Sequence, residues 1–387
     1  MKIALVHDFL KEYGGAERVL EALHDIWPDA PVYTSFVDWK GLGPHADRLK
    51  KWNIKESWIS RFPFITAYIS PFRFLAPLIW RSFNFSGFDV VISSSSWFMP
   101  KGVTVHPPAV HICYLHTPPR YLYGYQTARD WQKYWPVRLY GLIVNHWLRL
   151  YDFESSQRVQ YFIANSEETK RRITKFYRRD SVVVYPPVEM SKQSRGAGSR
   201  FARQTVSSKE KTTYYLVVSR LARAKHIDLA IEACQEMNVP LVIVGKGADD
   251  GRLQKLITNY ELQITKPHAN ISMLGEVSDE ELPSLYTNAK ALLFPAEDEE
   301  FGIVPVEAMG YGVPVVAYRS GGVVETVIEG KTGVFFDELT VPSLVDAIEK
   351  CSRTKSITKE ACMKQAANFS PDHFKKSIEK MVKTVLY

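Results

Sequence analysis

Ala291-Leu292-Leu293-Phe294-Pro295 runs into Ala296-Glu297-Asp298-Glu299-Glu300-Phe301-Gly302, and then into Ile303-Val304-Pro305-Val306-Glu307-Ala308-Met309-Gly310. The first part is an apolar run of strand length, the second an acidic loop, the third an apolar segment with proline near its start. This pattern predicts strand, loop and helix. Gly302 lets a ligand approach the backbone closely. Pro305 suits the first helical turn, where an N–H has no partner in any case. The amides of Gly302, Ile303 and Val304 can then point at an anion, aided by the helix dipole. One segment thus supplies a carboxylate, Glu299, anion-binding amides, and a second carboxylate, Glu307, about one and a half turns into the helix. The bland alternative is a solvated acidic loop before an ordinary helix. The strand–loop–helix context makes the nine-residue pattern more specific than two carboxylates alone.

The same alternation extends outward in both directions. Apolar runs at 214–219, 241–244, 271–274, 313–317 and 334–336 read as strands, most followed by helical patterns. Ser278 and Glu281 have capping-box spacing. Toward the N-terminus, runs at 2–6, 89–92, 109–115 and 161–164 read as buried strands, with helices over 16–26 and 167–177. Strands alternating with helices imply parallel sheets covered on both faces. Between the two series, residues 189–211 are rich in Ser, Arg, Lys and Gly and read as a linker or mobile loop. The fold expectation is therefore α/β, with two doubly wound Rossmann-like domains facing a cleft. One spans 1–188 and the other 212–370. The last helix, 371–386, carries Phe374, Ile378, Met381, Val382 and Val385 on one stripe.

The bulk properties agree with this reading. A chain of 387 residues exceeds the usual single domain. With 45% hydrophobic and 24% charged residues it is an ordinary packed protein, which excludes disordered and fibrous classes. Its four scattered cysteines, Cys113, Cys234, Cys351 and Cys362, form neither a disulfide framework nor a CxxC pair, so a reducing cytoplasm is expected. The N-terminal apolar run is too short for a signal peptide, and the stretch nearest to a membrane span, 62–80, contains Arg73 and three prolines, so no transmembrane helix is expected. A net charge of +7 points to an anionic partner without naming it.

Three lookalikes fail. Glu325 stands where a P-loop ending at Gly330-Lys331-Thr332 needs glycine, and Asp250 replaces the third glycine of a dinucleotide fingerprint after Gly245-Lys246-Gly247. His106, His111 and His116 recur every five residues, but that odd spacing along a strand puts neighbours on opposite faces, so no three-histidine metal site is expected.

Glu299 and Glu307, seven residues apart, resemble the E-x7-E motif of retaining GT-B glycosyltransferases, and the whole segment resembles glycosyltransferase family 4 (glycosyl transferases group 1), including bacterial mannosyltransferases of O-antigen and exopolysaccharide assembly. The resemblance covers nearly the whole chain. Gly14-Gly15-Ala16-Glu17 is similar to the family's N-terminal glycine loop, and Ser219-Arg220-Leu221 with Lys225 to its diphosphate-binding Arg and Lys. Val244-Gly245-Lys246-Gly247, Gly321-Gly322-Val323-Val324-Glu325 and Glu329-Gly330-Lys331-Thr332-Gly333 resemble its later motifs, and helix 371–387 the one that crosses back to the N-terminal domain. Glu300 departs from the pattern, where many members have a small residue. The resemblance implies these roles: Glu307 bonds the ribose hydroxyls of a nucleotide-sugar; Arg220 and Lys225, with Gly15, Gly302, Ile303 and Val304, hold the diphosphate; Glu299 binds donor-sugar hydroxyls near the anomeric carbon. It places His116 near the donor sugar, as a hydrogen-bonding ring or through its carbonyl, while a structural histidine capping a strand end is the alternative. It further implies retention of configuration, an α-linkage, and no metal or cofactor.

Two aromatic stretches concern the acceptor. Between residues 48 and 85, Arg48, Lys50, Lys51, Lys55, Arg61, Arg73 and Arg81 alternate with ten aromatics, including Phe62, Phe64, Tyr68, Phe72 and Trp80. They suit either an interface with an anionic membrane or a core with a charged rim. Residues 121–151 add Tyr121, Tyr123, Tyr125, Trp131, Tyr134, Trp135 and Trp147, which could stack on sugars or pack helices. The segments around His116-Thr117-Pro118-Pro119 and Tyr185-Pro186-Pro187 resemble a subgroup that often uses GDP-mannose. The expected protein is a cytoplasmic transferase, peripheral at the inner face of the plasma membrane, moving mannose from GDP-mannose to a lipid-linked surface glycan. The alternatives are a UDP-glucose or UDP-galactose enzyme, a synthase with a soluble acceptor, and a catalytically silent GT-B assembly partner. No motif supports nucleic-acid binding.

Overall fold

The computed structural model describes residues 1–125, 134–189, 214–262 and 269–386. The chain forms two compact units: Met1–Pro187 together with Pro371–Tyr387, and Val188–Ser370.

In the first unit, strands β1 (Ile3–His7), β2 (Val32–Thr34), β3 (Ile54–Glu56), β4 (Val90–Ser95), β5 (Val110–Leu115), β6 (Tyr161–Ala164) and β7 (Ser181–Val183) pair in the order β3-β2-β1-β4-β5-β6-β7. Every pairing is parallel, with Ile3 opposite Val90 and Ile92 opposite Ile112. Alternation along β1 builds both layers. Ile3 and Leu5 pack against Leu20 and Leu23 of helix α1 (Gly15–Ile26), while Ala4 and Val6 face Phe36, Trp80 and Phe98. Helix α2 (Trp135–Arg158) lays Leu148 and Tyr151 on that second layer, and α3 (Glu167–Tyr177) covers β6 with Ile173 and Tyr177.

In the second unit, β8 (Tyr214–Val218), β9 (Leu241–Val244), β10 (Ile271–Gly275), β11 (Ala289–Phe294), β12 (Val315–Tyr318) and β13 (Gly333–Phe336) pair in parallel in the order β10-β9-β8-β11-β12-β13. Helices α4 (Ile227–Glu236), α5 (Asp250–Glu261), α6 (Ile303–Gly310) and α7 (Val341–Arg353) flank it. Ile231 and Cys234 of α4 and Leu344 and Ile348 of α7 close over Val217, Ile243, Leu293 and Val316. The final helix α8 (Pro371–Leu386) belongs to the first unit, where Phe374, Ile378 and Val382 are buried among the residues under α1.

The structure differs from the sequence reading at short strands and polar ends. The strands β2, β3 and β7 have three residues each, too few for a period. Strand β4 continues beyond Ile92 through Ser93, Ser94 and Ser95, whose hydroxyls are buried but bonded. The Ser278/Glu281 pair makes reciprocal bonds, but the helix itself starts at Leu282. Most of the 189–211 linker lies outside the described residues, as does Trp131.

Candidate donor site and family

In the second sheet, successive crossovers run outward from β8 through β9 to β10, and the next strand, β11, returns to the other side of β8. The carboxyl ends of β8 and β11 flank this switch point, where open α/β sheets bind ligands. Three loops meet there. After β8 come Ser219-Arg220-Leu221 and a short 3-10 turn, Arg223–Lys225. After β11 comes the acidic loop, and after β12 the turn at Gly321-Gly322. The Glu297 amide donates to the Ala224 carbonyl at 3.0 Å, the Gly322 amide to the Glu299 carbonyl at 2.7 Å, and the Asp298 amide to Ser320 Oγ at 3.1 Å.

Glycines allow this approach. A Cβ on Gly321, whose φ is +70°, would lie 2.1 Å from the Glu299 carbonyl oxygen. A Cβ on Gly247 would lie 2.0 Å from the Leu221 carbonyl oxygen, so the turn after β9 backs the segment carrying Arg220. The two glycine motifs singled out in the sequence thus shape the backbone behind the charged side chains.

Lys225 Nζ forms an ion pair with Glu299 Oε2, both half-buried. Arg220 is exposed at the turn following β8. Gly302, with φ +85°, is the N-cap of α6, so Ile303 and Val304 are its first two residues. Their amides belong to the first turn, which has no intrahelical acceptors. Glu307, one turn further, is buried and accepts a hydrogen bond at 3.0 Å from Tyr286, itself fully buried and stacked on Tyr311 at 5.3 Å. The second unit therefore gathers Lys225, Glu299, the start of α6 and Glu307 on adjacent strand ends, with Arg220 at the first of them. Such a set can hold an anion beside a carboxylate and orient hydroxyls. The sequence reading missed Tyr286, because a tyrosine 21 residues from its partner carries no local signal.

Gly15 and His116 belong to the first unit. Gly15 is the first residue of α1, and the Gly14 amide donates to Glu17 Oε2 at 2.9 Å. His116 follows β5 at the carboxyl edge; its Nε2 lies 2.8 Å from Ser94 Oγ, and its carbonyl accepts from Thr169 Oγ1 at 3.1 Å. His111 is buried against Ser93 at 2.8 Å, and burial, with Arg158 and Lys101 nearby, pushes its pKa down to about 3. His106 is exposed. Among the described residues no cluster of three or more His, Cys, Asp or Glu side chains is arranged to hold a metal ion.

Comparison with known proteins agrees with this geometry. Residues 13–192 match the family model Glycosyltransferase Family 4, and residues 199–369 match Glycosyl transferases group 1. The chain is 26% identical to the alpha-1,3/1,6-mannosyltransferase alg2 of Schizosaccharomyces pombe over 375 residues, covering 86% of this chain and 70% of that one. It is 27% identical to a putative colanic acid biosynthesis glycosyltransferase, WcaL, of Salmonella typhimurium, over 52% of each. The chain spans between 35% and 70% of the length of several such curated relatives. In fold it resembles Anabaena HepE, solved in complex with UDP and glucose, with a TM-score of 0.70 at 18% identity and 99% of each chain covered. Matched over both units, with two doubly wound parallel sheets of the GT-B kind, the chain belongs to glycosyltransferase family 4, the glycosyl transferases group 1.

Proposed function

We propose that this chain transfers a hexose, with mannose from GDP-mannose as the preferred donor, to a lipid-linked glycan acceptor, forming an α-linkage with retention and without a metal. The observation that carries the reading is the meeting of Lys225, Glu299 and the α6 start at the β8/β11 switch point, with Arg220 beside them. In this reading Arg220 and Lys225 replace a metal as the counter-charge for the departing diphosphate, helped by the amides of Ile303 and Val304, with Gly15 as a further diphosphate-binding residue. Glu307, held by Tyr286, bonds the ribose. Glu299 bonds the sugar hydroxyls, and His116 a hydroxyl near the anomeric carbon. With no placed nucleophile, attack comes from the same face as departure through an oxocarbenium-like state. The diphosphate takes the acceptor proton, and catalysis rests on positioning and charge stabilisation.

The mannosyltransferase relative supports mannose, and the HepE complex with UDP and glucose supports a second reading, a UDP-hexose donor. A thermal-shift series with GDP-mannose, UDP-glucose, UDP-galactose and an ADP-sugar separates them. A donor at 100 times its Kd stabilises by about 2.7 kcal/mol. For a unit of this size that raises the melting temperature by roughly 5–10 °C. Arg220→Ala should lose most of the shift. If no nucleotide-sugar raises the melting temperature, the donor-site reading is wrong.

The acceptor side of the reading places the protein in the cytoplasm, against the inner leaflet. Of the aromatics between residues 48 and 85, Trp80 and Phe85 are core, whereas Phe62, Phe64, Tyr68, Phe72 and Phe74 are exposed, Phe64 at 76%. Helix α2 adds an exposed stripe of Trp135, Leu139, Leu142, Ile143, Trp147 and Leu150, Trp135 at 75%. The two regions are joined: Tyr140 of α2 donates to the Pro71 carbonyl, and Arg73 to Asn145 Oδ1 at 2.9 Å. No acidic residue occurs at 57–88 or 131–151, while Arg61, Arg81, Arg138 and Arg149 are exposed. Apolar area bordered by Arg61, Arg81, Arg138 and Arg149 suits an anionic headgroup layer. Among the described residues no helix is long and apolar enough to cross a membrane. The protein should co-sediment with phosphatidylglycerol vesicles, less so at high salt, and Leu142→Glu/Ile143→Glu should abolish this. Equal sedimentation of wild type and variant would remove the membrane-facing role.

A further inference from the structure

A chain of buried polar groups lies behind the carboxyl edge of the first sheet. Glu17 of α1, His7 at the end of β1, Ser94 of β4 and His116 just past β5 are all buried. Glu17 Oε1 is 3.4 Å from His7 Nε2; His7 Nδ1 is 3.1 Å from Ser94 Oγ; Ser94 Oγ is 2.8 Å from His116 Nε2. The sheet fixes these spacings, since His7 is opposite Ser94 in the β1/β4 pairing and the His116 amide donates to the Ser95 carbonyl at 2.9 Å.

For a His7 ring carrying a single proton, the order of donors along this chain follows from its first member. Burial disfavours the charged form of Glu17, but hydrogen bonds from His7 and the Gly14 amide prevail and hold its carboxyl below the ordinary range. An ionised carboxylate only accepts. His7 therefore carries its proton on Nε2, and with one proton on the ring its Nδ1 is an acceptor. The Ser94 hydroxyl must donate to that Nδ1, which leaves the Ser94 oxygen to accept from His116 Nε2. We propose that Glu17, His7 and Ser94 form a relay that fixes His116 as the Nε2–H tautomer, so that the ring meets a substrate hydroxyl as an acceptor at Nδ1. The three are positioning residues, and the substrate half of the inference rests on the role given to His116 above. Near the relay lie Asp8, whose carboxylate accepts from Ser96, and the Tyr114 ring, 5.2 Å from the His116 ring.

Nitrogen-15 NMR of imidazole groups in the full chain, with histidine labelled and GDP-mannose present, tests the relay. The expected wild-type spectrum shows His116 with a pyrrole-type Nε2 and a pyridine-type Nδ1. Glu17→Gln, three hydrogen bonds away, can both donate and accept, so His116 should become a mixture of tautomers. Ser94→Ala should do the same and keeps the test open should Glu17→Gln not fold. A pyrrole-type Nδ1 in the wild type, or an unmoved His116 signal in the folded variants, overturns the relay. The substrate role is tested apart from this: full transfer activity in His116→Gln would end that role while leaving the NMR result standing.

Discussion

Glu299→Ala should lower turnover by about 10²–10³-fold while leaving donor binding unweakened. The reason lies in the ion pair with Lys225. This pair holds Lys225 against the acidic loop and partly neutralises it. When a diphosphate arrives, the lysine must be shared between two anions. Removing the carboxylate frees the cation for the diphosphate, which favours binding. On the proposed role it also removes the group that would bond the sugar hydroxyls and face positive charge as it develops at the anomeric carbon. A contact worth more in the transition state than in the ground state appears in kcat rather than KM. Lys225→Ala should show the contrary split, with KM for the donor raised. The measurement is steady-state transfer alongside calorimetric titration of the nucleotide-sugar. Retention of full kcat in Glu299→Ala would refute its role, and an equal loss of binding would mean the carboxylate merely holds the loop together.

The acidic loop was legible because its information is local. A strand, a glycine with positive φ, a helix start and two carboxylates occur within 20 residues, and each has its own compositional mark. The same holds for Gly321 and Gly247, whose missing side chains matter because another backbone passes there. Tyr286 beneath Glu307 and the Glu17–His7–Ser94 chain had no such mark. They depend on strand order, which brings β4 beside β1 although some 80 residues separate them in sequence. Strand β4 was read too short for the same reason: three serines look like a strand end until the histidines and the Lys101 amide that satisfy them are in place. The 48–85 segment stayed ambiguous because it folds as a string of short turns, Trp58–Arg61, Ile65–Tyr68, Arg73–Leu75 and Ala76–Arg81, none long enough to show a period. Its aromatics divide between core and surface one by one, and only the three-dimensional path separates Trp80 from Phe64.

Asp152→Ala should destabilise the first unit by about 3–5 kcal/mol, the usual cost of leaving one partner of a buried ion pair alone. Lys101, in the turn after β4, and Asp152, on α2, are both fully buried and paired with each other. The second Asp152 oxygen accepts from the Tyr123 hydroxyl at 2.7 Å, and Lys101 Nζ lies 5.0 Å from the centre of the Tyr177 ring. Without the carboxylate, the ammonium keeps the Tyr177 face but loses its charged acceptor. The melting temperature of this unit should fall by roughly 6–20 °C. The double variant Lys101→Met/Asp152→Leu should recover most of the loss, because an apolar pair of similar volume avoids the desolvation cost altogether. The pair's position also matters for function. It clamps α2, with its exposed apolar stripe, and the segment after His116, through Tyr123, onto the end of β4 that carries Ser94. If the double variant regains stability but not transfer, the pair is needed to align these parts; if it regains both, its role is mechanical support alone. A single variant Asp152→Ala that melts with the wild type would show that Lys101 finds another partner and that the clamp lies elsewhere.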